Sequence, residues 1–270
     1  MELTVLVDNN TRLGNCLVSE HGLSFYIEDG DLKMLFDCGA SDAFIKNAYK
    51  MGLDLEALTD IVLSHSHFDH VGGFLRLQSL YKKFCYIGLK LTSKNIIAHP
   101  DVFNEELMIK SDNNEGNDSN FHLSKDKLDK FFNLTLTKKP IQLTPRLIYL
   151  GEIPIKHGEV KDDYSPDETA LAYKSEEGLV VISGCSHSGV ENIIEHAKSV
   201  TGETRVNTLV GGLYLVNRSG DEINALGRYL QEQGVKRIYP CHCTDLESKI
   251  ILSKFLTLVE VSTGKRYSWA

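Results

Sequence analysis

The chain lacks any apolar run near the ~18 residues that a membrane-spanning helix needs, so no membrane association is expected. Its start, Met1-Glu2-Leu3-Thr4-Val5, lacks a basic segment followed by an apolar core, and no secretory signal is expected. Those two absences point to a cytoplasmic protein. Positive charge is also short: 29 Lys and Arg stand against 37 Asp and Glu, a net charge of −8. No long Lys/Arg run occurs, whereas a nucleic-acid surface needs a basic face, so no nucleic-acid partner is expected. Cys241-x-Cys243 has no second Cys pair to complete a four-thiolate site. The cysteines, Cys16, Cys38, Cys85, Cys185, Cys241 and Cys243, read as reduced thiols and not as a disulfide framework. Nothing in the sequence specifies an oligomeric state.

What is present is ordinary for a globular protein: 42% hydrophobic and 24% charged residues over 270 positions. That length suits one large α/β domain, read here as residues 1–270. Glu2 to Asp8 reads as a strand. Leu23–Ile27 and Leu32–Phe36 read as a hairpin about Asp29-Gly30. Ser41 to Met51 reads as a helix with Ser41 as N-cap. Residues 82–150 form an irregular insertion, with a polar, mobile loop at 111–120. Lys125 to Phe132 reads as a short helix, and Leu143 to Leu150 as a strand. Thr169–Tyr173 and Leu179–Ser183 form a second hairpin, and strand–helix units follow to the end, the pattern of a mixed α/β protein.

One stretch stands out. Ile61-Val62-Leu63 is a short, β-branched, buried-type strand, and His65, His67, Asp69 and His70 follow it directly. His65 and His67, two apart on an extended strand end, point to one side. Asp69 and His70 then sit on a turn, and Gly72-Gly73 lets the backbone bend. Imidazole and carboxylate together suit zinc, manganese or iron. Asp37 closes the second arm of the first hairpin beside Gly39. There it can hold a histidine's outer ring nitrogen, form a turn, or ligate directly. His99, before Pro100, is read as structural. His187 follows an apolar strand and precedes a helix, at the same kind of position as the signature, and reads as a further ligand or as a cap. His242 reads as a site residue with Cys241 and Cys243 facing the other way, or as part of a Cys-x-Cys site.

His65-x-His67-x-Asp69-His70 resembles the signature of the metallo-β-lactamase superfamily. The resemblance implies a four-layer αββα sandwich with one or two metals at one edge. His65 and His67 would serve the first ion, Asp69 and His70 the second, and zinc is the expected metal, with manganese, iron or magnesium as alternatives. The superfamily pattern has a His where this chain has Asp167 and an Asp where it has Cys185, so His187 substitutes, or Asp167 or Cys185 coordinates. Glu20-His21-Gly22-Leu23-Ser24, Gly151-Glu152-Ile153-Pro154, Gly184-Cys185-Ser186-His187 and His242-Cys243-Thr244 are together similar to one branch of the superfamily. That branch includes the dihydropterin-ribofuranosylaminobenzene phosphate synthases. Its members usually carry Gly-Gly-Phe-His-Leu where Gly211-Gly212-Leu213-Tyr214-Leu215 stands here.

Three functions follow as expectations. The first is a hydrolase of a small anionic, phosphorylated substrate through a metal-bound hydroxide, with Asp69 as catalytic residue and His21, His157 and Tyr214 contacting substrate. The second is a transferase joining a pterin-type pyrophosphate to an aminobenzene ribose phosphate. The third is a non-catalytic metal-binding or sensor module.

Overall fold

In the computed structural model the chain is described at residues 1–12, 14, 16–86, 94–104, 107, 123, 125–128, 132–158 and 164–270. The loop expected at 111–120 lies outside these. The chain divides into two compact units, Met1–Thr137 with Ser262–Ser268, and Lys138–Val261 with Trp269–Ala270. Among the described residues, no helix is long and apolar enough to cross a membrane.

Alternating apolar residues build the first sheet. Its strands are β1 (Glu2–Val7), β2 (Ser24–Asp29), β3 (Leu32–Phe36), β4 (Asp60–Val62), β5 (Lys94–Ala98), β6 (Phe132–Leu136) and, far along the chain, β14 (Arg266–Ser268). The order is β14-β1-β2-β3-β4-β5-β6. β2 and β3 are the expected antiparallel hairpin, while β3, β4, β5 and β6 run parallel. One face of the sheet, including Leu6, Tyr26, Leu35, Ile61 and Ile96, packs with Phe44 and Ala48 of helix Ala43–Lys50 and with Phe74, Leu77 and Tyr81 of helix Phe74–Tyr86. Alternate residues Phe25, Ile27, Met34, Phe36 and Val62 are buried too, as expected of strands covered on both faces.

The second sheet holds β7 (Ile141–Gln142), β8 (Leu147–Tyr149), β9 (Ala170–Ser175), β10 (Gly178–Ser183), β11 (Val206–Gly212), β12 (Arg237–Cys241) and β13 (Thr257–Leu258). They lie in the order β13-β12-β11-β10-β9-β8-β7. β9 and β10 pair antiparallel in the expected hairpin, and β10 to β13 run parallel. Helices Val190–Thr201, Gly220–Glu232 and Leu246–Leu252 contribute Ile193, Ile194, Leu226, Leu230 and Leu252 to a core with Val181, Leu209 and Ile238.

Several local expectations are corrected. Helix Ala43–Lys50 begins two residues later than expected, and its N-cap is Asp42, without a side-chain cap bond. The Ser41 hydroxyl still accepts from the Ala43 N–H at 3.1 Å, and it is hydrogen-bonded to Glu20, whose carboxylate also accepts from the Ala40 and Ser41 backbone. Asp69 and His70 lie in a short helix, Phe68–Val71, and not on a plain turn. Phe132 opens β6 and does not close a helix: its ring packs with Phe74 and Tyr81, and that tertiary contact outweighs local preference. The last strand, β14, was invisible in the sequence because only its pairing with β1 stabilises so polar a segment.

Candidate metal site

In open α/β sheets, ligand-binding residues gather beyond the C-terminal ends of parallel strands. Both sheets follow this rule here, and each is taken by itself.

In the first unit, β3 ends into Asp37, β4 into Ser64 and His65, and β5 into His99. Asp37 is wholly buried. Its carboxylate accepts from the Ser64 backbone N–H at 2.7 Å and the Ser64 hydroxyl at 2.6 Å, and it lies 2.7 Å from His70 Nδ1. Ser64 Oγ also lies 2.8 Å from His65 Nδ1. One carboxylate thus engages the Nδ1 side of His70 directly and that of His65 through Ser64, leaving Nε2 as the ligating atom each ring presents. Such outer partners fix ring orientation and raise ligand basicity in metal sites. The rings of His65 and His67 have centroids 4.5 Å apart, and those of His65 and His70 4.2 Å apart. Asp69 Oδ2 lies 3.8 Å from His70 Nε2 and 3.2 Å from His21 Nε2. Clustered imidazoles beside a carboxylate, with Nδ1 of His65 and His70 already engaged, are the donor set a divalent cation takes, and the residues fit one.

The remaining expected residues of this unit have definite places. His21 is exposed and touches the Asp69 carboxylate and Asn9. His99 is buried and accepts from the Asp101 backbone N–H at 3.1 Å, a helix-capping contact. Gly73 lets the backbone after His70 pass Cys38 and Ser41, whose carbonyls a Cβ would strike.

In the second unit, β10 ends into Cys185, Ser186 and His187, β11 into Leu213 and Tyr214, and β12 into His242 and Cys243. The His187 segment is clamped. Glu168, fully buried, accepts from the backbone N–H groups of His187 at 2.8 Å and Ser188 at 2.7 Å. Burial pushes the Glu168 carboxyl up to about 7, against the pull of those two donors. Ser186 Oγ donates to the Gly212 carbonyl at 2.7 Å, tying the β10 and β11 ends together. The ring of His187 lies 4.2 Å from that of Tyr214. Asp167 is buried, with Oδ1 2.5 Å from Ser165 Oγ. Cys185 Sγ lies 2.8 Å from Cys243 Sγ. The alternation expected through Cys241-His242-Cys243 does not run, because β12 ends at Cys241 and His242 has φ 49°. His157 is exposed, its backbone held by Asn192, and it lies along helix Val190–Thr201 near enough to help lower the Glu195 carboxyl, which Lys198 lowers most.

Backbone conformation singles out the same segments. Among the described residues, the non-glycine positions with positive φ are Asp37, Ser186, Tyr214, Asn217 and His242. All but Asn217 lie within three residues of the end of a strand named above. Unfavourable backbone of this kind persists where surrounding contacts impose it, and it concentrates at functional sites. Sequence reading missed Glu168, Ser64 and Asn192. Glu168 had one signal, a second carboxylate placed directly before an apolar strand.

The sequence model of the metallo-beta-lactamase superfamily matches residues 19–83, the segment that carries Asp37 and the histidine cluster. The crystal structure of Tm1679, a metal-dependent hydrolase of the β-lactamase superfamily, superposes with a TM-score of 0.77 at 26% identity, covering 100% of this chain and 99% of that one. By both comparisons the chain is similar to the metallo-β-lactamase superfamily. Its fold is the α/β class expected, two mixed sheets with helices, of the αββα metallo-β-lactamase type. Among relatives, the 7,8-dihydropterin-6-methyl-4-(β-D-ribofuranosyl)-aminobenzene-5'-phosphate synthase of Methanocaldococcus jannaschii is 28% identical over 253 residues, 86% of this chain and 83% of that protein. An uncharacterised protein of the same organism is 28% identical over 276 residues, 97% of this chain and 98% of its own length. These likenesses support an enzyme that binds divalent metal.

Proposed function

We propose that this chain is a metal-dependent hydrolase of a small, phosphorylated anion. The observation that carries the reading is the single buried carboxylate of Asp37, which aligns His65 and His70 beside His67 and Asp69. In this reading His65, His67, Asp69 and His70 hold divalent metal, and His187 and His242 are further proposed ligands. Cys185 and Asp167 are further candidate ligands, and zinc is the first candidate ion. When bound, such a metal acts as a Lewis acid and lowers the pKa of water to near neutrality. Asp69 takes the catalytic position: the Oδ2 that faces His70 also meets His21 at 3.2 Å, so it can receive a proton from an attacking water and pass it to His21. Tyr214, packed on His187, lines the substrate side. The partner is a small molecule, and the location is cytoplasmic. The whole chain acts as one domain.

The likeness to the synthase supports a second reading. There the same ligands would activate a departing pyrophosphate, and an aminobenzene ribose phosphate would replace water as the acceptor.

The test is elemental analysis of protein purified without chelator, followed by assays with bis(p-nitrophenyl) phosphate and with a pterin pyrophosphate. The expected result is one to two metal equivalents and hydrolysis of the diester. Pyrophosphate release that depends on the aminobenzene acceptor, without diester hydrolysis, selects the transferase. Protein with no metal affinity overturns both.

A further inference from the structure

Beyond the ligands, we infer that Arg218 is the residue that grips the substrate's phosphoryl oxygens, at the strand ends of the second unit. It sits in the segment that leaves the C-terminal end of β11, between Gly212 and helix Gly220–Glu232. The Arg218 guanidinium lies over the Tyr214 ring, 5.4 Å from its centroid, and the His187 ring also packs on Tyr214, with centroids 4.2 Å apart. One aromatic ring therefore touches both a cation and a candidate metal ligand. Arg218 is half-buried, which strengthens its attraction for an anion over that of a fully solvated charge.

The segment is held to shape. Leu213 N–H donates to Thr244 Oγ1 at 3.2 Å, and Leu215 N–H to the Cys243 carbonyl at 3.0 Å. Ser248 Oγ donates to the Leu215 carbonyl at 3.2 Å, and Arg218 N–H donates to the same group at 3.2 Å. Two of its residues, Tyr214 and Asn217, carry positive φ without being glycine, a cost that a solvated connection would not retain. The helix that follows does not supply the anion site. Its first turn is closed by a capping box, in which Ser219 Oγ accepts from Glu222 N–H and the Glu222 carboxylate accepts from Ser219 N–H. Glu222 would repel an anion there, so the positive group this segment offers is the guanidinium. Planar, always charged and stacked on an aromatic face, it matches two oxygens of a phosphate in a way an ammonium does not. The substrate class is a phosphate monoester or diester, with a non-bridging oxygen pair on Arg218.

This inference rests on the proposed hydrolase reading for its substrate class, but its test does not need activity. Inorganic phosphate is titrated into chelator-treated protein and followed by calorimetry, for the parent, Arg218→Ala and Arg218→Lys. The parent is expected to bind. Arg218→Ala should weaken binding at least ~10-fold and Arg218→Lys by a smaller factor, since charge is kept and the fork is lost. Circular dichroism and a melting curve for each variant separate loss of the site from loss of the fold, and Arg218→Lys keeps the test open if the alanine variant unfolds. Equal phosphate affinity in the parent and a folded Arg218→Ala, or no phosphate binding by the parent, overturns the assignment. Lost phosphate binding in a folded Arg218→Ala, alongside parent protein that hydrolyses no phosphoester, upholds Arg218 and sinks the hydrolase reading.

Discussion

The two sheets share one wiring plan. An antiparallel hairpin, β2–β3 or β9–β10, leads into a run of parallel strands, and candidate residues leave from the strands' C-terminal ends. They differ in how that edge is filled. The first unit concentrates its donors after a single strand, with His65, His67, Asp69 and His70 within six residues, and Asp37 from the neighbouring strand holds His70 directly and His65 through Ser64. The second spreads His187, Tyr214 and His242 over three strands and anchors the first of them by Glu168, which grips backbone and not a ring. A cluster built after one strand needs one orienting carboxylate. A set spread over three needs each strand end pinned, and the second unit pins them with Glu168, Ser186 and Thr244.

Mutations can break or sharpen this contrast, and the largest effect is expected at the ligands. His65→Ala and His187→Ala should each reduce bound metal and lower activity by at least ~100-fold, beyond the 10–100-fold typical of residues behind the ligands. Inductively coupled plasma measurement and turnover check this. If His187→Ala retains full metal and activity, the second unit does not supply that ligand.

Next come the two anchoring carboxylates. Asp37→Ala should cost about 3–5 kcal/mol in urea unfolding, because it strands His70 and Ser64 in a buried place. Glu168→Ala should cost less, about 1–3 kcal/mol, since it strands two backbone N–H groups. Glu168 also carries a pH signature in metal-free protein. Its carboxyl is raised in the fold to about 7, so its contribution to stability is present at low pH and lost as pH rises through that value. The urea midpoint should fall between pH 5 and pH 8, and Glu168→Gln should flatten that fall. An unchanged slope would show that Glu168 is ionised throughout.

Backbone crowding gives a smaller pair. Gly211→Ala drives a Cβ into the Ser183 carbonyl at φ 121°. Gly73→Ala meets the Cys38 and Ser41 carbonyls without the φ penalty. Both should destabilise by about 1–3 kcal/mol or more, with Gly211→Ala the worse, as melting temperatures would report. The smallest effect is at helix starts. Ser219→Ala removes a complete capping box and should cost about 1 kcal/mol. Asp42→Ala, at a cap with no side-chain cap bond, loses only an exposed pair with Lys46 and should cost at most about 0.5 kcal/mol.

How much of this could be read beforehand follows the same division. The first unit's cluster was legible because its donors are neighbours in sequence after an apolar strand. Asp37 was visible as a strand-end carboxylate, though its double service through Ser64 was not. In the second unit, His187 and His242 could be picked out by their flanking strands, but Glu168 could not be tied to the His187 backbone without the fold. Tyr214 was noticed, while Arg218, four residues on, carried no signal, because its significance comes from a ring it meets only in three dimensions. Strands β6 and β14 were missed for a related reason. Their residues have weak local preference, and pairing with β5 and β1 decides their state.

The His65-x-His67-x-Asp69-His70 stretch and the alternation of strands with helices pointed by themselves to a metallo-β-lactamase-type fold, since ligand spacing and apolar periodicity are properties of contiguous residues. Which carboxylate orients which histidine, how His242 and Cys243 leave their strand, and where a guanidinium comes to rest on an aromatic ring were decided only by tertiary structure. Those depend on hydrogen bonds and packing between residues tens of positions apart, and on backbone angles that no local preference favours.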